Sequence, residues 1–94
     1  MITFEWDEKK NIQNIKKHGV SFATASSVFY DEYAILLADE PHSSEEERFI
    51  LIGYSEYADI LVVCHCYRKE DTIRIFSARK ATKRETEQYN ERID

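Results

Sequence analysis

Ile73-Arg74-Ile75-Phe76-Ser77-Ala78-Arg79-Lys80-Ala81-Thr82-Lys83-Arg84-Glu85 passes from a strand almost directly into a helix. Thr72 to Ala78 has the composition of a strand. Thr82 and Glu85 stand at the spacing of a capping box, which starts a helix running to about Arg92. The strand therefore delivers Arg79 and Lys80 to a helix start, and Lys83 and Arg84 fall in the first helical turn. Cations there oppose the helix dipole. The free N–H groups of a helix start form an anion site instead. Four basic side chains beside those donors suit a phosphate better than they suit stability.

Upstream of this junction lie three further strand candidates, about Tyr33 to Asp39, Glu47 to Tyr54 and Ile60 to Arg68. Short connections favour antiparallel pairing among them. At the N-terminus Ile2, Phe4 and Trp6 alternate with polar residues as in a short strand. Asp7 can cap a helix that runs to His18, with Gly19 in the left-handed position that ends it. Its narrow apolar stripe is Ile12 and Ile15, with His18 at the stripe's edge and Lys10 and Lys17 on the opposite, watery face. Ser21 can cap a second helix, in which Phe22, Ala25, Ser26 and Phe29 recur at helical spacing up to about Asp31. The last helix has only Ala81, Tyr89 and Ile93 to dock it, so it is weakly anchored. The order is β-α-α-β-β-β-β-α. We expect one α+β domain over residues 1–94, an antiparallel sheet with the two N-terminal helices on one face and a C-terminal helix.

The chain has 94 residues, 43% of them hydrophobic, which suits a single small core. Apolar runs such as Ile60 to Cys64 are too short to span a bilayer. The acidic start, Met1-Ile2-Thr3-Phe4-Glu5, is wrong for a signal peptide. Cys64 and Cys66 stand two apart on one strand, diverging from disulfide geometry, and read as reduced small hydrophobes in a cytoplasmic protein. A Cys-His-Cys metal site fails, because His65 points to the other face and no second Cys/His pair exists. No carboxylate pair, Gly-rich phosphate loop or nucleophile elbow appears, and we expect neither metal nor cofactor.

The net charge of −5 argues against a general nucleic-acid binder, yet it is unevenly distributed. Residues 68–84 hold seven basic and two acidic side chains, whereas residues 31–47 hold seven acidic and no Lys or Arg. Arg68 and Arg48 end and begin strands and reach one concavity if the register permits. Arg74 and Phe76 share a strand face, where a guanidinium beside an aromatic ring suits single-stranded RNA; core packing is the other reading of Phe76. His18 is either a proton-transfer group or a capping histidine. Tyr89 is either a core anchor or a hydroxyl at the site. His65 reads as a strand residue and His42 as a loop residue.

Phe4-Glu5-Trp6-Asp7, Asn14 and Lys17-His18-Gly19-Val20-Ser21-Phe22 together resemble the N-terminal signature of BrnT-type toxins. Glu47-Arg48, Ile52-Gly53 and Leu61-Val62-Val63 are similar to the middle of that family. Ile73 to Thr82, with Glu85 and Tyr89, resembles its C-terminal signature. The sequence departs from the family in its acidic balance and at the turn Tyr57-Ala58-Asp59, where Gly and a basic residue are common. The resemblance implies a RelE-like fold and the toxin half of a type II toxin–antitoxin pair, which inhibits translation by cutting RNA. It also implies a small ribbon-helix-helix antitoxin through which the pair touches DNA. Its site residues carry over to His18, Arg48, Arg68 and Arg79, with Lys17, Lys80 and Tyr89.

Together these readings predict a metal-independent endoribonuclease in which the RNA 2′-hydroxyl attacks the adjacent phosphate. His18 would move protons, while Arg68 and Arg79 stabilise the phosphorane. Lys17, Arg48, Arg74, Lys80, Lys83, Arg84 and Tyr89 would bind the RNA. The alternative is a non-enzymatic module that uses the same basic surface to bind an antitoxin or ribosomal RNA. A DNA-binding regulator lacks a helix-turn-helix pattern.

Overall fold

The computed structural model describes residues 1–93, the last by its backbone only; Asp94 and the side chain of Ile93, an expected α3 anchor, lie outside the described residues. Strand β1 (Thr3–Glu5) leads into helices α1 (Glu8–His18) and α2 (Phe22–Ser26), the latter prolonged by a 3₁₀ turn at Ser27–Tyr30. Strands β2 (Ile35–Ala38), β3 (Phe49–Tyr54), β4 (Ile60–Arg68) and β5 (Thr72–Lys80) follow, and helix α3 (Lys83–Ile93) closes the described chain. A second 3₁₀ turn, Glu40–His42, interrupts the loop after β2. The fold is α+β as expected, with these two turns added to the expected order. Among the described residues no helix is long and apolar enough to cross a membrane.

Local signals set the helix ends. The Asp7 carboxylate accepts from the N–H groups of Lys9 and Lys10, and Gly19 ends α1 at φ 71°. Ser21 accepts from the Thr24 N–H, capping α2. Thr82 and Glu85 exchange the reciprocal bonds of a capping box, at 2.8 and 3.2 Å. At the 57–59 turn, Ala58 adopts φ 65°. A Cβ there costs about 1 kcal/mol relative to Gly.

The sheet order is β1-β5-β4-β3-β2. The expected purely antiparallel sheet is in fact mixed, because β1 runs parallel to β5, with Phe4 opposite Ile73. Two helices and three strands separate the pair, so the crossover a parallel pair requires is available. On one face, Leu51, Leu61, Val63, Ile73, Ile75 and Ala78 pack with Val20, Phe22, Ala25 and Val28 of the N-terminal helical segment. On the other face Ile52 and Val62 pack against Tyr89 of α3. A Cβ at Gly53 would lie 2.9 Å from atoms of Ala34 and Asp31, so only glycine lets that segment lie on β3.

Helix α1 departs from its expected orientation. Ile12 and Ile15 are 49% and 43% exposed, and the one buried residue of the helix is Asn14. The Asn14 amide donates to the carbonyls of Val20 and Ala78, both at 2.8 Å, and its oxygen accepts from the Ala78 N–H at 3.2 Å. Strand β1 pairs with β5 only as far as Arg74. Beyond it, Asn14 supplies the hydrogen bonds of a missing strand, satisfying backbone groups that would otherwise be buried unpaired. That demand outranks burial of two isoleucines and brings Lys10 and Lys17, which stay solvent-exposed, to the lining of a cleft on the sheet.

Candidate active site

Strand β5 carries a bulge that decides which residues face the site. Cys64 of β4 stands opposite Ser77 and His65 opposite Ile75, leaving Phe76 as the extra residue. Strict alternation from Arg74 would carry Phe76, Ala78 and Lys80 to one face. The extra residue inverts the parity, so Ala78 enters the core and Arg79 pairs with Val62 on the opposite face. Lys80 pairs with Leu61 and so shares the core-side face, at an exposed position.

On the Arg79 face a cleft of about 500 Å³ opens between the sheet and the side chains that reach round the β5 edge from α1. Helix α1 contributes Lys10, Gln13, Asn14, Lys17 and His18. The sheet contributes Arg48 just before β3, Ile50, Val62 and Cys64 as a floor, and Phe76, Ser77 and Arg79 from β5. The turn after β2 adds Asp39 and His42. Four permanent cations therefore line the cleft with one carboxylate, and a polyanion is the ligand that this charge favours. The Arg48 guanidinium lies over the Phe76 ring at 3.8 Å, and the Lys10 ammonium stands 5.9 Å from its centroid. Phe76 is thus a cleft residue rather than a core residue, and its cation is Arg48, not the expected Arg74.

The electrostatics are tightly held. Both oxygens of Glu85 accept from Arg79, at 2.7 and 2.9 Å. These bonds, outweighing partial burial, depress the Glu85 carboxyl to about 2, with help from the Thr82 N–H. Asp39 is 5% exposed and meets the His42 ring at 2.9 Å through Nδ1. The Cys64 thiol donates to the Asp39 carboxylate at 3.5 Å. Burial first, then this bond and the Asp39 charge, push the thiol up to about 11, so it stays protonated.

Of the residues expected from sequence, His18, Lys17, Arg48 and Arg79 line the cleft. Arg68 does not. It sits on the outer end of β4, 3.4 Å from Glu46, which also lies 3.9 Å from Arg48. Arg74 pairs with Glu5 at 2.9 Å, away from the cleft. Lys83 and Arg84 are exposed on α3. The anion site expected at that helix start is occupied from within by Glu85, whose oxygens take both the Thr82 N–H and Arg79. Tyr89 is an anchor and not a site hydroxyl, for it is 1% exposed and donates to Asp31 at 2.6 Å. His65 is fully buried against Phe29, its Nδ1–H held by the Val63 carbonyl, and burial lowers its proton affinity. Among the described residues no three His, Cys, Asp or Glu side chains converge as a metal-holding group.

Sequence reasoning missed Lys10, Asp39 and His42 as cleft residues, and for Phe76 it left an RNA-stacking ring and core packing both open. One signal was present for Asp39 and His42: an acid and a histidine three residues apart around Pro41, a spacing that a single 3₁₀ turn brings to one side. Nothing local marked Lys10, whose placement depends on the inverted α1 face.

Comparison with known proteins bears on the family and the fold. The model of the family described as the ribonuclease toxin BrnT of type II toxin–antitoxin systems matches residues 6–85. The crystal structure of the Brucella abortus ribonuclease toxin BrnT is similar, with a TM-score of 0.68 and 25% identity over 88% of this chain and 100% of that one. No curated protein sequence matches the chain.

Proposed function

Because the chain belongs to the family of BrnT ribonuclease toxins of type II toxin–antitoxin systems, we propose that its cleft binds and cuts RNA without a metal ion and thereby inhibits translation. The supporting observation is the convergence of His18, Lys10 and Lys17 from α1 with Arg48 and Arg79 from the sheet around one cleft. In this reading the ribose 2′-oxygen attacks the adjacent phosphorus as the bond from phosphorus to the 5′-oxygen breaks. The products are a 2′,3′-cyclic phosphate and a free 5′-hydroxyl. The 2′-hydroxyl loses a proton and the leaving oxygen gains one, which is work for imidazole. Negative charge grows on the non-bridging oxygens, where Arg48 and Arg79 act as fixed donors. Lys10 and Lys17 hold neighbouring phosphates, and the Phe76 ring offers a surface for a base.

Family membership implies an antitoxin as partner and RNA as substrate. We further propose a small ribbon-helix-helix antitoxin that supplies the DNA contacts of the pair, since a chain of net charge −5 is a poor DNA binder alone. Action in the cytoplasm follows from that RNA target.

The test is incubation of the purified protein with long RNA in excess EDTA, followed by mapping of new ends. Cleavage leaving 2′,3′-cyclic phosphates is expected, with a loss of about a hundredfold or more for R79A. Intact RNA would refute the reading. A second reading, in which the cleft binds RNA or an antitoxin without cutting, is favoured by one observation: Glu85 already engages both terminal guanidinium nitrogens of Arg79. RNA that is retained but uncut would select it.

A further inference from the structure

The cleft holds two histidines on different elements, and only one of them was expected there. His42 lies in the 3₁₀ turn after β2 and shares the cleft lining with His18 at the end of α1. Its Nδ1 stands 3.0 and 2.9 Å from the two oxygens of Asp39. A carboxylate can only accept, so Nδ1 carries a proton, and in the neutral ring Nε2 is the nitrogen with the lone pair. The His42 side chain is 66% exposed while the Asp39 side chain is 7% exposed, so the acid is a buried support and the ring is presented outward.

The turn is built to hold this arrangement. The Asp39 N–H donates to the Arg48 carbonyl at 2.9 Å, and the His42 N–H donates to the Asp39 carbonyl at 3.1 Å. Ser43 ties the other side, donating to the Asp39 carbonyl and accepting from the Arg48 N–H. The Asp39 carboxylate also receives the Cys64 thiol, so its orientation is fixed from β4 as well. The same few bonds thus position His42 and Arg48 together, the preorganisation that a reacting centre requires.

We propose that His42, oriented by Asp39, is the general base of RNA cleavage and that His18 is the general acid. Nε2 of His42 takes the proton of the 2′-hydroxyl as its oxygen attacks phosphorus. Protonated His18 gives its proton to the departing 5′-oxygen. The two rings exchange charge states in the step, and water restores them. Asp39 is a positioning residue: it holds the tautomer and steadies the imidazolium that forms. The inference rests on the ribonuclease reading above.

The charged and titratable groups that share the cleft with His42 come from three parts of the fold. Asp39 contacts it directly, and Cys64, Arg48 and Arg79 line the same cleft from the sheet side. Lys10, Lys17 and His18 line it from α1. A base works unprotonated and an acid protonated, so wild-type cleavage should be bell-shaped between about pH 5 and 8. H42Q should lower the rate at least about a hundredfold and remove the rising acidic limb, while H18Q removes the falling alkaline limb. RNA carrying a 5′-bridging sulfur at the mapped cleavage position separates the roles, because thiolate leaves without protonation. On it H18Q recovers towards wild-type rate and H42Q does not. D39N should slow cleavage less than H42Q, and imidazole added to H42A should restore part of the rate. If wild type cleaves and H42Q keeps its rate and both limbs, this proposal falls while the ribonuclease reading stands. If H42Q rather than H18Q is rescued by the sulfur substrate, the assignment is reversed and wrong as stated. A wild-type protein inert towards RNA overturns both readings.

Discussion

Helices α1 and α3 are both 11 residues long and both poor in apolar side chains, yet they are attached to the sheet by opposite means. Helix α3 is held by apolar contact: Tyr89 is buried against Ile52 and Val62, with its hydroxyl on Asp31. Helix α1 is held by polar contact: Asn14 pairs with the backbone of Ala78 and Val20, and the two isoleucines face solvent. An apolar dock uses the inward side chains for packing, and α3 lends none to the cleft lining. A backbone-directed amide needs only one side chain. It leaves Lys10, Lys17 and His18 free to reach the cleft, at a rotation and height fixed by directional bonds.

The sharpest break of this contrast is N14A. It strands the Ala78 N–H, the Ala78 carbonyl and the Val20 carbonyl, each left unmade at about 1 kcal/mol or more. A loss of roughly 3 kcal/mol in chemical denaturation is expected, with hydrogen exchange at Ala78 accelerated and cleft function lost together. A smaller loss than that of Y89F would mean that α1 is attached by something other than Asn14. Y89F keeps the ring and removes one bond to a carboxylate, so it should cost about 1.5–3 kcal/mol. Amide exchange along α3 should rise, while the cleft functions of a still-folded protein remain.

Glu85 joins the two regions, since it caps α3 and engages Arg79 of the cleft. Its carboxyl is depressed to about 2 from an ordinary 4.5. The stability it contributes is complete above about pH 4.5 and is lost as pH falls towards 2. Solvent screening of the partly exposed Arg79 limits that contribution to about 1 kcal/mol. E85Q retains a capping side chain but should flatten this acid limb of the stability curve and leave Arg79 unneutralised, strengthening RNA retention at pH 7. A curve with the wild-type pH dependence would count against the pair. The smallest effect belongs to I12Q/I15Q. Both side chains are nearly half exposed, so stability should change by about 0.5 kcal/mol or less. A large loss would show that α1 does pack through its isoleucines.

What the chain determined by itself is what neighbours in sequence can settle. Asp7, Ser21 and Thr82 with Glu85 cap their helices through bonds spanning two or three residues, and Gly19 takes the left-handed turn. Alternation likewise marked the strands, and the family motifs near both ends are local patterns. Tertiary structure decided everything that depends on which face a residue occupies. One bulge at Phe76 sends Arg79 into the cleft and Lys80 to the other side, because strand alternation has a period of two and a single extra residue inverts it. An unpaired stretch of β5 backbone, created only when β1 ends at Glu5, turned α1 against its own apolar stripe, because a buried N–H without a partner costs more than a half-exposed isoleucine. Asp39 and His42 came into the cleft because strand pairing carries their turn to Arg48, whose backbone it bonds. Such long-range pairing leaves no periodic trace in the sequence for a reader to find.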